Sequence, residues 1–417
     1  MNKNKTGQEI EIMAPAGNFE ALMAAIQGGA NSVYFGIEQL NMRARAANNF
    51  LFEDLEEIAR RCNENNVKTY LTLNTIIYDH DLSIMRRIVD KVKEAGITAI
   101  IASDQAVINY AASQKVEVHI STQTNITNLE SVKFFSHFAD VMVLARELSL
   151  KQVKDITDGI IRDDVRGPSG ELVKIEIFAH GALCMAVSGK CYLSLHTHNS
   201  SANRGACVQN CRRSYKVIDL EEGHELEIDN EYIMSPKDLC TIGFIDKIVD
   251  AGVTVLKIEG RGRAPEYVKT VTQCYREAVE AYLDGTYTKE KIDGWMERLS
   301  SVYNRGFWDG YYLGQKLGEW TDGYGSQATT RKQFLGKGVK YFPKIGVAEF
   351  KIETSSLKVG DKVIITGPTT GVIETEIKEL RVDNQPVNEV KKGVHFSTPV
   401  NEVVRSSDKI YKVVPNV

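Results

Sequence analysis

The chain is predicted to be an α/β protein, a (β/α)8 TIM-like barrel followed by a small C-terminal antiparallel β-barrel domain. Three observations carry that prediction. Short apolar runs alternate with amphipathic stretches from Glu11 to Ile258. Each run ends in a polar, functional-looking tip, which is where barrels of this kind build their sites. Beyond about Gly338 the helical periodicity gives way to short runs punctuated by Gly-Pro, Gly-Asp and Asp-Asn pairs.

In chain order the expected barrel strands are Glu11–Ala14, Ser32–Phe35, Lys68–Leu73, Ala99–Ala102, Glu117–Ile120, Val141–Leu144, Lys174–Ala179 and Thr254–Ile258. They are short and β-rich without strict alternation, the texture of strands buried on both faces. Amphipathic stretches lie between them, at Phe19–Gln27, Phe52–Asn63, Leu82–Ala95, Gln105–Ala112 and Asn128–Phe138. Gly28-Gly29 and Gly96 stand where such helices would be capped. A doubly wound sheet is the structural rival. The barrel is preferred because a polar tip follows every strand: Pro15-Ala-Gly17, Gly36, Asn74, Ser103-Asp104, Ser121-Thr-Gln123, Arg146-Glu147, His180-Gly181 and Glu259-Gly-Arg261. Two more helices are expected at Pro265–Leu283 and Lys289–Leu299. The domain reading is a barrel over 1–309 with a Cys-rich insertion at about 181–240, a connection over 310–338, and a β domain over 339–417. In the last, Lys344–Ile352, Leu357–Ile365, Gly371–Leu380 and Lys409–Val414 read as strands.

Composition is that of an ordinary soluble domain, with 43% hydrophobic and 25% charged residues and a formal charge of −4. That charge excludes an overall basic nucleic-acid coat but not a local basic patch. Seven cysteines is an odd number, and they cluster. This points to a reducing compartment and a metal or redox role, not to a disulfide framework. The opening residues lack the apolar core of a signal peptide, and no run is long enough to span a bilayer. A cytoplasmic enzyme with no membrane partner is expected.

Cys184, Cys191, Cys207 and Cys211 share one stretch with His180, His196 and His198. Cys240 follows, at the end of Ser235-Pro-Lys-Asp-Leu-Cys240. The spacings match neither the paired C-x2-C units of zinc ribbons nor ferredoxin runs. Three chemistries are open: an iron–sulfur cluster on converging thiolates, zinc held by Cys and His, and a thiol nucleophile paired with a His such as His180. Cys62 and Cys274 fall inside helical patterns and read as buried small hydrophobes. His180 and Glu259, at strand tips, are candidates to move protons. Arg43, Arg146 and Arg261 are cations near tips, suited to a small dicarboxylate or a phosphate through bidentate hydrogen bonds. Gln123 lies in a hydroxyl- and amide-rich tip that either binds a polar ligand or caps the next helix. Arg204, Arg212 and Arg213 flank the cysteines and suit phosphate or an anionic cluster.

The stretch from Glu176 to Ser194, EIFAHGALCMAVSGKCYLS, resembles the signature of the U32 peptidase-like family. Ala14-Pro-Ala-Gly17, Asn31-Ser-Val-Tyr-Phe-Gly36, Ser121-Thr-Gln123, Ser235–Cys240 and Lys257-Ile-Glu-Gly-Arg261 have counterparts there, so the resemblance spans the barrel. The C-terminal Val359-Gly-Asp-Lys-Val363, Gly393 and Asp408-Lys-Ile-Tyr411 are similar to the small β-barrel of translation elongation factors. That appendage makes the tRNA-hydroxylation subgroup the best match.

The resemblance implies two activities. The family was named for protease or collagenase activity, while other members carry out oxygen-independent hydroxylation, the tRNA subgroup forming 5-hydroxyuridine at the wobble position. It implies a [4Fe–4S] cluster, prephenate as oxygen donor and tRNA as partner. By motif it implies Cys184, Cys191, Cys207 and Cys240 as ligands, with Cys211 as the alternative. The residues suit this better than proteolysis, since neither a Gly-x-Ser-x-Gly elbow nor a His-Glu-x-x-His helix occurs. A peptidase using Cys or metal and a non-catalytic RNA-binding or maturation protein are the alternatives.

Overall fold

The structure, a computed structural model, describes residues 9–44, 49–216, 218, 220–221, 232–315 and 318–416. The N-terminal segment read for targeting, 1–8, and part of the Cys-rich insertion, 222–231, lie outside the described residues.

Seven parallel strands are laid down in order: β1 (Glu11–Pro15), β2 (Ser32–Phe35), β3 (Lys68–Leu73), β4 (Ala99–Ala102), β5 (Glu117–Ile120), β6 (Val141–Val143) and β7 (Lys174–Ala182). A short β8 (Asp238–Cys240) then precedes β9 (Val255–Ile258). The barrel closes through β9, which pairs in parallel with β1 (Glu11 opposite Val255) and with β7 (Ile177 opposite Leu256). Its eight strands are therefore β1–β7 and β9, and all eight expected strands are present.

The helices form for the expected reasons. Asn18, Asp104, Asn128 and Ser149 each accept a backbone N–H at a helix start. Gly96 ends its helix in the left-handed conformation at φ 71°. In Leu55–Glu64 the buried Leu55, Ile58, Ala59 and Cys62 repeat at helical spacing, placing one apolar stripe against the sheet. The expected helices at Pro265–Leu283 and Lys289–Ser301 are present.

The barrel strands bury a small apolar cluster that includes Met13, Ile101 and Val255, and polar groups beside it. Lys257 and Glu176 form an ion pair at 2.7 Å with side chains 6% and 0% exposed. Below it, Glu11 accepts from Tyr70 at 2.8 Å and Ser32 at 2.6 Å. Pairs like these recover little net energy after desolvation, but losing one partner is costly. The Glu11 bonds tie β1, β2 and β3 together toward their N-terminal ends, away from the C-terminal ends that carry the site.

Strand β7 departs from a simple barrel. Its last residues, His180–Ala182, run past the rim and pair antiparallel with β8, His180 opposite Cys240. A further strand, β10 (Phe307–Trp308), adds in parallel to β8. This three-stranded flap forms one wall above the mouth.

The C-terminal domain is antiparallel, as expected, but begins earlier. Strand β11 (Thr330–Phe342) starts inside the segment read as a connection. The others are β12 (Val347–Ile352), β13 (Ser356–Lys358), β14 (Lys362–Gly367), β15 (Gly371–Glu376), β16 (Leu380–Val382), β17 (Gln385–Val387), β18 (Glu389–Lys391), β19 (His395–Pro399) and β20 (Lys409–Pro415). Two runs read as single strands are split. Leu357–Ile365 breaks at Gly360, whose φ of 90° turns the chain between β13 and β14. Gly371–Leu380 divides into β15 and the start of β16. Phe350 and Phe396 stack at 5.5 Å in this domain's own core. It is tied to the barrel by Gln27, which donates to Thr370 O at 2.9 Å and accepts from Val372 N at 2.8 Å. Lys332 bonds Glu266 at 2.9 Å. No helix among the described residues is long and apolar enough to cross a membrane.

Candidate active site at the barrel mouth

A cavity of about 490 Å³ opens at the C-terminal ends of the barrel strands. Its floor is a cluster of charge contributed by three tips. Arg43, from the loop after β2, donates to Glu259 Oε1 at 2.8 Å. Tyr34, on β2, donates to Glu259 Oε2 and to Ile258 O, both at 3.0 Å. Arg261, 5% exposed, donates to Asn41 Oδ1 at 3.1 Å and Thr72 Oγ1 at 2.9 Å. Arg146, from the tip after β6, lies over the Phe178 ring at 3.8 Å. Its Nε is buried with no hydrogen-bond partner among the described residues.

The sign of this cluster follows from its charges. Burial pushes the Glu259 carboxyl up, but Arg43, Arg146 and Arg261 outweigh burial and hold it at about 2. Arg43 is raised by the same contact, whereas Arg261, bonded to neutral groups, is lowered by burial to about 10. Three guanidinium groups around one carboxylate, Arg43 and Arg146 lining the cavity and Arg261 outside its lining, leave a net double positive charge. That complements a small dianion. An acid held at about 2 is ionised at neutral pH and is a feeble base, so Glu259 acts as a counter-ion and anchor.

His180 does not reach the cavity. It is 1% exposed, ringed by Tyr267, Tyr275 and Phe307, with Nδ1 3.3 Å from the Tyr275 hydroxyl. Burial lowers it to about 3, so it stays neutral and packs the base of the flap. The proton role expected from its position at a strand tip therefore lacks a path to the cavity: the β7–β8 pairing turns the side chain inward, under the flap.

Above the floor, Cys184, Cys191, Cys207 and Cys211 all line the cavity. Burial raises the Cys211 thiol; Arg212 opposes this, while Cys184, Cys207 and Cys191 add to it. Cys211 is thus within electrostatic reach of the other three cavity cysteines. Cys240 is elsewhere. It is buried on β8, 3.8 Å from Met296 Sδ and 4.0 Å from the Tyr275 hydroxyl, with its thiol pushed up to about 12 by burial. The structure thus brings Cys211, not Cys240, to Cys184, Cys191 and Cys207. Among the described residues no three His, Cys, Asp or Glu side chains converge on a single ion. Zinc needs all four donors about 2.3 Å from one point. A four-iron cluster takes each thiolate on a different iron and tolerates a wider ring, so the donor set fits a cluster better than zinc. Cys62 and Cys274 are fully buried, as expected, with thiols raised to about 12.

Gln123 lines the same cavity, and its Oε1 accepts from Asn74 Nδ2 at 3.4 Å. The next helix is capped by Asn128, not by Gln123, whose Oε1 also accepts from the Ser121 hydroxyl. Thr122, also on the wall, buries a hydroxyl with no partner among the described residues. Of the arginines beside the cysteines, Arg204 is spent on Asp81. Arg212 ties the Cys-rich loop to the flap, donating to Pro236 O at 2.7 Å and Leu183 O at 2.5 Å. Thr122 belongs to the hydroxyl-rich tip Ser121-Thr-Gln123 expected from sequence; Tyr34, Asn41 and Thr72 are signalled there only by their nearness to the tips at Gly36 and Asn74.

One glycine fixes the join between floor and flap. Gly181 has φ 103°, and a Cβ there would run into the Glu259 carbonyl oxygen. Gly181→Ala is expected to cost about 2 kcal/mol in urea denaturation. It should weaken dianion binding in the same variant, because Glu259 must move.

The model of peptidase family U32 matches residues 17–322, the barrel after its first strand together with the flap. A protein of Porphyromonas gingivalis named collagenase is 61% identical over 404 residues, spanning 97% of this chain and 98% of its own length. The tRNA hydroxylation protein P1 of Bacillus subtilis is 30% identical over 402 residues, 91% of each chain. A 23S rRNA 5-hydroxycytidine synthase of Escherichia coli is 33% identical over 283 residues, 67% of this chain and 40% of that one. The signature that runs up β7 into the cysteines, the match across the barrel and relatives aligned nearly end to end lead to one conclusion: this chain belongs to peptidase family U32.

Proposed function

We propose that this chain is an oxygen-independent tRNA hydroxylase that forms 5-hydroxyuridine at the wobble position, with prephenate as oxygen donor and a [4Fe–4S] cluster held by Cys184, Cys191, Cys207 and Cys211. The observation that carries this reading is the shared cavity: four thiols on its wall and a doubly positive floor. Relatives named for tRNA and rRNA hydroxylation support the reaction class. When bound, the cluster would supply redox-active iron beside the substrate. The protein's own groups do the rest. Arg43 and Arg146 hold a dicarboxylate through charge-assisted hydrogen bonds. Glu259 and Tyr34 hold Arg43 at the cavity, while Arg261, bonded to Asn41 and Thr72 outside the lining, contributes only its charge. Thr122 and Gln123 offer neutral hydrogen bonds on the opposite wall.

The test is nucleoside mass spectrometry of tRNA from cells lacking the chain, complemented with wild type or with the Cys184→Ala, Cys191→Ala variant. Wild type should restore 5-hydroxyuridine only while the cells make prephenate, and the variant should not. Restoration by the variant would overturn the cluster's role.

A peptidase reading is kept because the 61% identical relative is named collagenase. Among the described residues no cysteine is hydrogen-bonded to a histidine, and His180 is walled off from the cavity thiols. Cleavage of a collagen peptide panel by the purified protein, abolished in Cys184→Ala, would replace the hydroxylase reading.

A further inference from the structure

The arginines at the mouth fall into two sets. Arg43, Arg146 and Arg261 gather around Glu259 on the barrel axis. Arg263 and Arg305 stand on the rim, and neither takes part in that cluster. Arg263 is placed where two cavities meet. It lines the mouth and also a larger cleft of about 1030 Å³ between the barrel and the β domain. Its neighbour Gly262 does the same, so the cleft and the mouth adjoin at these two residues.

The chemistry of the junction is specific. The Arg263 guanidinium lies over the Tyr303 ring at 3.6 Å and that of Arg305 at 5.3 Å. Tyr303 lines the cleft. One carboxylate, Asp238, serves both arginines. Arg305 reaches it at 3.3 Å, while Arg263 comes only to 3.9 Å. Two guanidinium groups and one carboxylate leave one net positive charge. The side chains of Arg263 and Arg305 are 17% and 12% exposed, so water screens that charge only partly. Apart from Arg263 the cleft walls are balanced: Arg331, Lys332 and Lys362 stand with Glu266, Glu374 and Glu376, and Lys332 is bonded to Glu266. The excess charge is therefore concentrated at the gateway, beside an aromatic face.

We propose that Arg263, Arg305 and Tyr303 form a docking site for a backbone phosphate and the adjoining base of a single-stranded RNA loop, which enters through the inter-domain cleft and delivers a neighbouring nucleotide to the mouth. The proposal rests on the RNA-hydroxylase reading and adds the route by which RNA arrives. A planar guanidinium fork suits a phosphodiester, and a stacked Arg–Tyr pair presents a flat face on which an unpaired base can lie. It also gives the β domain a task, because that domain forms the far wall of the cleft.

The experiment is fluorescence anisotropy of the full-length holo-protein with a labelled tRNA transcript across a salt series. Arg263→Gln is the informative variant, since Arg305 keeps Asp238 paired. At about 0.15 M salt it should bind roughly tenfold more weakly. The slope of log affinity against log salt should fall by about 0.7, the signature of one lost phosphate contact on a single strand. Iron content and melting temperature should match wild type. Arg263→Lys should recover the slope but only part of the affinity, because it restores charge without the stacked plane. Wild type that binds tRNA, with Arg263→Gln equal in affinity and slope, overturns the docking site and leaves the hydroxylase reading standing. Wild type that binds no RNA at any salt overturns both.

Discussion

Glu259→Gln is expected to lower the unfolding free energy at neutral pH by about 3 kcal/mol and to flatten the acid limb of the stability profile. The substitution is nearly isosteric: the amide oxygen can accept from Arg43 while the amide N–H donates to the Tyr34 hydroxyl, which still donates to Ile258 O, so what it chiefly removes is charge. That charge is the counter-ion of three guanidinium groups, and the Glu259 side chain is only 13% exposed. Burial alone would raise the carboxyl. Arg43, Arg146 and Arg261 bring it instead from 4.5 to about 2. A carboxyl lowered by folding stabilises the native state fully above its unfolded value, and that contribution is lost as the pH falls through its folded value. Wild type should therefore shed about 3 kcal/mol between roughly pH 4.5 and pH 2, in addition to losses from other carboxylates. Urea denaturation of both proteins at neutral and acid pH checks this: the gap between them should close on acidification. Parallel profiles would mean that the three arginines are balanced by something other than Glu259.

The same cluster shows what could and could not be read from the chain. All eight barrel strands were legible because each is a short apolar run bounded by Gly, Asn or charged tips, and closure brings those tips together whatever the loops do. Arg43, Arg146, Glu259 and Gln123 meet at one cavity for that reason, while Arg261, expected there too, is buried against Asn41 and Thr72 outside its lining and reaches the site only through its charge on Glu259. The flap was not legible. β8 is three residues long, and its partner is the overhanging end of β7, so no periodicity announces it. Missing the flap is what misplaces His180 and Cys240, which face each other across it. β11 was hidden for a different reason. Its sequence, TRKQFLGKGVKYF, has no clean alternation, and Gly336 lies where the backbone of Lys351 passes too close for a side chain. Arg263 and Arg305 were silent because what distinguishes them is a junction between two domains.

The two candidate fourth ligands separate most sharply in the metal content of their variants. Under the proposed function, protein purified without oxygen carries about four iron and four sulfide per chain. Cys211→Ala is expected to bring both near zero and to abolish the wobble product. Cys240→Ala should keep them, at a cost of about 1 kcal/mol in stability for a buried thiol replaced by a methyl. The expectation rests on what surrounds each sulfur. Burial and the other three cavity cysteines raise the Cys211 thiol, so four thiolates there would repel one another strongly without a cation among them. Arg212, the adjoining residue, offsets part of that repulsion. Cys240 is raised to about 12 by burial, and the nearby carboxylates of Asp309 and Asp238 work in the same direction. To ligate iron it would have to break the pairing of β8 with β7 and abandon its contacts with Met296 and Tyr275. Iron lost from Cys240→Ala and kept in Cys211→Ala would therefore require the flap to open on cluster assembly. It would also carry His180, which faces Cys240 across the flap, toward the cavity.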